Sequence, residues 1–164
     1  MPIEFVLEDS CWEKADLVDL ASAGFHSVME YFDLDPEIYE VGMLACNDER
    51  IAGLNSGFRG IKKSTNVLSW PSADRSAEYE GQYPPKLILD LDGFMGDIAI
   101  SYDTCLREAT DAGKNINHHV SHLMVHALLH LMGFDHENDK DAVLMETIEV
   151  EILGKMGIDS PYEE

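Results

Sequence analysis

The spacing of apolar residues along the chain predicts its helices. Between residues 12 and 32, apolar side chains recur every three or four positions, which is typical of an amphipathic helix. The same reasoning predicts four more helices, over residues 48–56, 104–112, 116–131 and 139–155. The helix at 116–131 is apolar over most of its length, so we expect it to be central to the fold.

Shorter segments have the pattern of strands. They are residues 3–7, 39–45, 66–70, 86–91 and 96–102. The polar residues 72–85 predict a mobile loop. There is no internal repeat or linker, and 164 residues suit one domain with a substantial core. We therefore expect one α+β domain over residues 1–164, with helices on one side of a small mixed sheet.

Three histidines near the end of the chain have the spacing of a metal site. His126 and His130 are four residues apart, so they share one face of the predicted helix. Gly133 can take a left-handed conformation and end that helix, after which His136 can return to the same point. Three imidazole ligands leave the fourth position of a tetrahedral zinc open, as in catalytic sites. Imidazole also suits nickel, copper or iron.

Two further histidines, His118 and His122, continue the four-residue spacing toward the N-terminus. Three successive members cannot share one metal, because the outer two would lie roughly 12 Å apart along the helix. Only the pair of His126 and His130 is followed at once by a glycine and another histidine. For His118 and His122 we expect solvent exposure or an ordinary hydrogen bond, with contact to the metal ligands or the substrate as an alternative for His122.

The residue after the first histidine argues against a peptidase. Zinc peptidases with a His-Glu-x-x-His motif use the glutamate as general base. Position 127 is alanine, so that base is missing. The metal site is therefore expected without the peptidase chemistry.

The stretch from His126 to His136 closely resembles the signature of the YbeY family of bacterial metal-dependent endoribonucleases, the rRNA maturation factors. The resemblance continues upstream in three segments, Leu54-Asn55 with Arg59-Gly60, Thr65-Asn66-Val67-Leu68-Ser69-Trp70-Pro71, and Gly96-Asp97-Ile98-Ala99-Ile100-Ser101. The second segment is similar to a family motif that reads Thr-Asp-Val-Leu-Ser-Phe-Pro. Asn66 and Trp70 depart from that motif, and Asn66 removes an acidic side chain.

The resemblance implies a zinc-dependent endoribonuclease that prefers single strands and binds one zinc ion. It implies a role in rRNA maturation at the 3′ end of the 16S RNA and in ribosome quality control. The expected partners are single-stranded RNA and rRNA, the small ribosomal subunit and ribosome-associated proteins, in the bacterial cytoplasm. Neither a membrane nor DNA is expected as a partner.

Arg59 is the residue that the resemblance makes the best catalytic candidate. A guanidinium binds phosphate oxygens in a bidentate manner and can stabilise charge there. Asp135 either accepts a hydrogen bond from a ligand imidazole or caps a turn. Asn55 and Ser101 are further candidates, although positions in a turn and at a strand end explain them equally well.

The charge of the chain weighs against a general nucleic-acid-binding protein. It has 32 acidic residues against 11 Lys and Arg, which gives a formal net charge of −21. Basic residues partly collect at Arg59, Lys62 and Lys63, where a local field can attract a phosphate. Two other functions stay open, a metallopeptidase-like hydrolase and a noncatalytic ribosome-assembly factor with structural zinc.

Membrane-span, signal-peptide and cysteine patterns in a sequence indicate where in the cell a protein is found. The chain's apolar runs are too short for a membrane span, and the N-terminus does not have the pattern of a signal peptide. Three widely spaced cysteines favour reduced thiols over a disulfide framework.

Overall fold

A computed structural model describes residues 3–60, 63–87 and 93–162, except for the side chains of Phe58 and Arg59. The strands are β1 (Ile3–Leu7), β2 (Glu40–Cys46), β3 (Val67–Pro71) and β4 (Phe94–Ser101). The helices are α1 (Cys11–Lys14), α2 (Leu17–Tyr31), α3 (Asp48–Arg59), α4 (Tyr102–Ala112), α5 (Ile116–Leu131) and α6 (Asp139–Lys155). Residues 72–85 are irregular, as predicted.

The four strands form one mixed sheet in the order β1-β2-β4-β3. The first three of these are parallel, while β3 runs antiparallel to β4. The α+β class and the mixed sheet are therefore confirmed. Of the strand predicted at 86–91, residues 86 and 87 are irregular and residues 88–91 lie outside the described part of the chain.

The helix predicted over residues 12–32 is two helices. Asp16 takes a left-handed conformation, with φ at 52°, between α1 and α2. Trp12 of α1 is 1% exposed and donates its indole N–H to the carbonyl of Cys46 at 3.0 Å. This contact docks α1 at the end of β2, and α2 begins after the turn at Asp16.

Helices cover both faces of the sheet, so the prediction that they lie on one side is wrong. Neighbouring strand residues point to opposite faces. Ile98 and Ile100 belong to the main core beneath α2 and α5, while Ala99 packs with Cys46 and with Ile51 of α3. The strands are apolar on both faces at these positions, which requires a cover on each side.

The helix α5 spans the predicted residues 116–131 and is buried along most of its length, with Val120, Met124, Leu128 and Leu131 all unexposed. It packs against α2, α6 and β3. None of the helices within the described ranges has both the length and the apolar character needed to cross a membrane. All three cysteines are free thiols.

Candidate metal centre

The turn after α5 requires the glycine at position 133. Gly133 has φ at 109°, its N–H donates to the carbonyl of His130 at 3.0 Å, and Phe134 donates to Leu129 at 3.0 Å. These two bonds form the Schellman motif that ends many helices. A Cβ at position 133 would lie 2.1 Å from the carbonyl oxygen of Arg75. Only glycine therefore allows the chain to turn this tightly toward His136.

Arg75 ties the irregular segment 72–85 to the end of α5. It is 7% exposed, and its Nη1 donates to the carbonyls of Leu131 at 2.7 Å and Met95 at 3.0 Å. Its Nη2 donates to the hydroxyl of Ser72 at 2.6 Å. A helix C-terminus has carbonyls without intrahelical partners, and a guanidinium satisfies them well. The sequence predicted the loop and missed this anchor, because the spacing of residues 72–85 gives no sign of burial.

The three predicted ligands converge beside this turn. The Nε2 atoms of His126 and His130 are 3.1 Å apart. The ring of His136 lies 5.3 Å from that of His126 and 5.1 Å from that of His130, between centroids. One ring nitrogen from each of the three lies within 4.8 Å of the others. We call His126, His130 and His136 the histidine cluster.

This spacing fits the geometry of a bound zinc ion. Two nitrogen ligands of a tetrahedral zinc, each about 2.0–2.1 Å from the metal, lie roughly 3.3–3.4 Å apart. The separation of the two Nε2 atoms is close to that value. Among the described residues, the group that meets at this point has three possible ligands, which leaves a fourth position for water or substrate.

The other ring nitrogens of the two helical ligands have acceptors. The Nδ1 of His130 lies 3.0 Å from the carbonyl oxygen of Phe134, and the Nδ1 of His126 lies 2.5 Å from Oε1 of Glu149. A carbonyl or carboxylate oxygen accepts hydrogen bonds, so each Nδ1 is the protonated nitrogen. Each Nε2 then keeps its electron pair for a cation, which is the arrangement usual in metal sites.

Burial favours the neutral form of His130. Burial, together with the neighbouring His126 and His136, lowers the pKa of His130 to about 4. The imidazole is therefore neutral at pH 7, as a metal ligand must be. The donor set and its protonation both suit a metal ion.

Glu149 on α6 is a site residue that the sequence analysis did not identify. Its side chain is fully buried, and its Oε2 accepts from Nε2 of His122 at 3.1 Å and from the hydroxyl of Tyr162. Burial raises the pKa of Glu149, but the hydrogen bonds from His122 and His126 outweigh burial and lower it to about 2. A signal existed, because Glu149 shares the inward face of α6 with Met145 and Ile152.

A cavity of about 390 Å³ opens beside the histidine cluster. Its lining includes Asn66, His126, His136, Glu149 and Tyr162. The amide of Asn66 donates to Oε1 of Glu108 at 3.0 Å. An aspartate at position 66 would bring a second negative charge against Glu108.

The remaining predicted residues lie in different surroundings. Asp135 accepts the backbone N–H of the adjacent His136 at 2.7 Å, which is a local contact beside the histidine cluster. Asn55 is 3% exposed and donates to the carbonyl of Lys63 at 2.9 Å. Arg59 is the last residue of α3, and its side chain, like all of Lys62, lies outside the described part of the chain.

Ser101 belongs to a second polar cluster. Its hydroxyl donates to Oδ1 of Asp48 at 2.7 Å, and Asp48 also accepts from Thr104 at 2.5 Å and from Arg107 at 3.2 Å. Burial raises the pKa of Asp48, but the hydrogen bonds from Thr104, Ser101 and Arg107 outweigh burial and lower it. We call these four residues the Asp48 cluster.

Comparisons with known proteins show the family to which the chain belongs. A family model described as Endoribonuclease YbeY matches residues 4–157. Proteins named Endoribonuclease YbeY are similar to the chain throughout. The one from Paracoccus denitrificans is 50% identical over 163 residues, covering 99% of this chain and 90% of its own. The one from Jannaschia sp. is 46% identical over 162 residues, covering 99% of this chain and 100% of its own.

The fold has a counterpart among solved structures. The solution structure of TM1509 from Thermotoga maritima aligns with a TM-score of 0.56 at 17% identity, covering 99% of each chain. At that identity the likeness concerns the fold alone. The family model and the close relatives carry more weight, and by them the chain belongs to the YbeY family of endoribonucleases.

Proposed function

We propose that this chain is a single-domain, zinc-dependent endoribonuclease that cleaves single-stranded RNA. The observation that carries the proposal is the meeting of His126, His130 and His136 beside an open cavity, with three possible ligands among the described residues. Within this proposal the enzyme acts in the bacterial cytoplasm on rRNA, at the 3′ end of the 16S RNA. Its partners are the small ribosomal subunit and ribosome-associated proteins, and it serves ribosome quality control.

Different residues of the chain have different roles in RNA cleavage. The histidine cluster holds one zinc ion, which when bound can polarise a phosphoryl oxygen and lower the pKa of a water molecule. Glu149 and the carbonyl of Phe134 orient the imidazoles of His126 and His130. Arg59 binds the non-bridging phosphate oxygens and stabilises the negative charge that develops on them.

Two other functions have less support from the residues at the site. A metallopeptidase would need a base after the first histidine, but Ala127 has no carboxylate and is fully buried in the core. A noncatalytic assembly factor with structural zinc would need a fourth ligand, whereas three meet in the described part of the chain. The endoribonuclease therefore accounts best for the site.

The test compares zinc content and RNA cleavage in the same preparations. The substrates are one RNA sequence as a single strand and as a duplex, under single-turnover conditions. We expect the wild-type chain to contain one zinc and to cleave the single strand, and His130→Ala to lose both. Arg59→Ala should keep its zinc and melting temperature, yet cleave on the order of 100- to 1,000-fold more slowly. Arg59→Lys should recover little, because lysine lacks the bidentate fork.

The same preparations separate the alternatives. Unchanged cleavage in Arg59→Ala would remove the arginine from the mechanism, and a large fall in its melting temperature would make it structural. Chelator-sensitive cleavage of an unstructured protein, absent in His130→Ala, would favour the peptidase. Full zinc content without cleavage of any RNA would favour the assembly factor.

A further inference from the structure

Glu149 is a buried charge that is hydrogen-bonded to one member of the histidine cluster and to two residues outside it. Its side chain has no exposed surface. An isolated carboxylate in such a place is very unfavourable unless charged or polar partners surround it. The partners here are Nδ1 of His126 at 2.5 Å on one oxygen, and His122 at 3.1 Å with the hydroxyl of Tyr162 on the other. Each oxygen therefore has at least one donor.

These bonds fix the orientation and the tautomer of one metal ligand. An ionised carboxylate accepts hydrogen bonds and donates none, so the proton of His126 sits on Nδ1. The electron pair is then on Nε2, which faces His130 at 3.1 Å. If the proton moved to Nε2, His126 could no longer bind a cation at the histidine cluster.

The C-terminal segment completes this arrangement from outside the core. The ring of Tyr162 packs edge-on against His122, with centroids 5.6 Å apart. The segment before it is fastened at both ends, since Ile158 donates to the carbonyl of Leu153 at 2.9 Å and Lys114 donates to that of Pro161 at 3.2 Å. Tyr162 and His122 thus hold the second oxygen of Glu149, which leaves the first for His126.

We propose that Glu149 is a positioning residue that sets the metal affinity of the centre by fixing the Nδ1–H tautomer of His126, and that Tyr162 and His122 support it. This inference rests on the proposed metal site. A rival interpretation has the same geometry, because the ligand atoms of His122, His126 and Glu149 also lie within 4.8 Å of one another. In that rival, Glu149 would itself bind a second cation.

The first measurement needs no metal. Nitrogen-15 NMR of the histidine side chains in the metal-free protein reports which ring nitrogen carries the proton. We expect Nδ1–H at His126 in the wild-type chain, and a mixture of both tautomers in Glu149→Ala. A mixture in the wild-type chain would overturn the inference. This readout stays informative even if the chain binds no zinc, in which case the proposed function would fail and the tautomer result would stand.

The second measurement is the affinity for Zn²⁺ and Co²⁺, by competition with a chelator of known affinity. Losing an outer hydrogen-bond partner of a ligand typically weakens metal binding about 10- to 100-fold, and we expect that loss in Glu149→Ala. Glu149→Gln keeps an oxygen that can accept from His126, so its metal affinity should fall less than that of Glu149→Ala. The glutamine variant also provides the test if the alanine variant does not fold. Tyr162→Phe should lose less than Glu149→Ala. Glu151→Ala is the matched control, because it removes the same charge from an exposed position on α6 where the side chain contacts Tyr31 of α2 and not the cavity.

The outcomes are distinct. The positioning role is supported if the chain binds one metal ion, if the metal affinity falls from wild type to Glu149→Gln and further to Glu149→Ala, and if Glu151→Ala leaves it unchanged. Affinities of Glu149→Ala and the wild-type chain within twofold of each other would overturn it. Two metals per wild-type chain, of which Glu149→Ala loses one, would also overturn it and make Glu149 a ligand.

Discussion

The histidine cluster with Glu149 and the Asp48 cluster are built alike and serve different ends. In each, one carboxylate accepts three hydrogen bonds from side chains. Glu149 is fully buried, whereas the side chain of Asp48 is 26% exposed. Both carboxyl groups have lowered pKa values, so neither charge nor hydrogen bonding alone distinguishes them.

What distinguishes the clusters is the partners of the carboxylate. The imidazole of His126 has a second ring nitrogen with an electron pair left for a cation. The hydroxyls of Ser101 and Thr104 donate hydrogen bonds to Asp48, and the positively charged guanidinium of Arg107 lies 3.2 Å from the same carboxylate. A guanidinium has no electron pair for a metal, and its fixed charge would repel a second cation. The Asp48 cluster instead joins the start of α3 to the end of β4 and the start of α4. The Asp48 cluster thus already contains its positive charge, whereas the histidine cluster has electron pairs that can bind a cation.

The largest expected effect is at Gly133, next to the histidine cluster. Gly133→Ala places a Cβ against the carbonyl of Arg75 and strains the left-handed turn, so it should lower the free energy of unfolding by at least about 2 kcal/mol. Zinc affinity should fall on the order of 10-fold or more, because the turn places His136. Urea unfolding and chelator competition measure the two effects.

Gly113→Ala is the matched control for that substitution. Gly113 also has a positive φ, at +64°, but an added Cβ would have nothing within 4 Å. Gly113→Ala should lower the free energy of unfolding by about 1 kcal/mol through backbone strain and leave zinc affinity unchanged. Equal losses in both variants would show that the contact with Arg75 is unimportant.

A smaller effect is expected in the Asp48 cluster, and it should depend on pH. Asp48→Asn should lower the free energy of unfolding by roughly 1 kcal/mol at pH 7, a low value because part of the side chain is solvated. The pKa of Asp48 is lowered by folding, so its contribution is present above the ordinary value of 3.8 and is lost as pH falls through the folded-state pKa. The gap between wild type and variant should therefore shrink toward pH 3 in unfolding curves, with zinc affinity unchanged at pH 7.

Unchanged zinc affinity in Asp48→Asn would contrast directly with the loss of zinc affinity expected in Gly133→Ala. A gap that stays constant from pH 7 to pH 3 would mean that the charge of Asp48 does not matter. Weaker zinc binding in Asp48→Asn would join the two clusters into one site and end the distinction between them.

The smallest effect concerns Asn66, which lines the cavity beside the histidine cluster. Asn66→Asp puts a carboxylate oxygen in place of the amide nitrogen that donates to Oε1 of Glu108 at 3.0 Å. We expect the repulsion of like charges to lower the free energy of unfolding by about 0.5–1 kcal/mol at pH 7, as measured by thermal unfolding. The double variant Asn66→Asp with Glu108→Gln should regain most of it. If the double variant regains no stability, repulsion between position 66 and Glu108 is not the cause of the loss.

The sequence predicted the parts of the centre that depend on local geometry. His126 and His130 are one helical turn apart, and Gly133 marks the turn that follows, so the convergence of three candidate ligands could be predicted from eleven residues of sequence. The bounds of α5 and α6 also match, since each has a clear apolar pattern. Such features need no knowledge of the rest of the fold.

The parts that were missed depend on distant contacts. Glu149 lies 23 residues from His126 and Arg75 lies 56 residues from Leu131 along the chain, and packing brings each pair together. The break at Asp16 also accompanies a distant contact, since Trp12 of α1 donates to the carbonyl of Cys46, 34 residues away. Apolar periodicity reports how a segment faces the core, but not which polar side chain it meets there.

The docking of Arg75 has a consequence for how metal binding depends on folding. His126 and His130 come together wherever α5 forms, because they lie one turn apart on the same helix. The position of His136 also depends on Gly133 packing against the backbone of Arg75, and so on the place of the segment at 72–85. A chain in which this segment is not docked would bring two imidazoles together but not the third, so binding of a metal by all three requires the long-range packing of the native state.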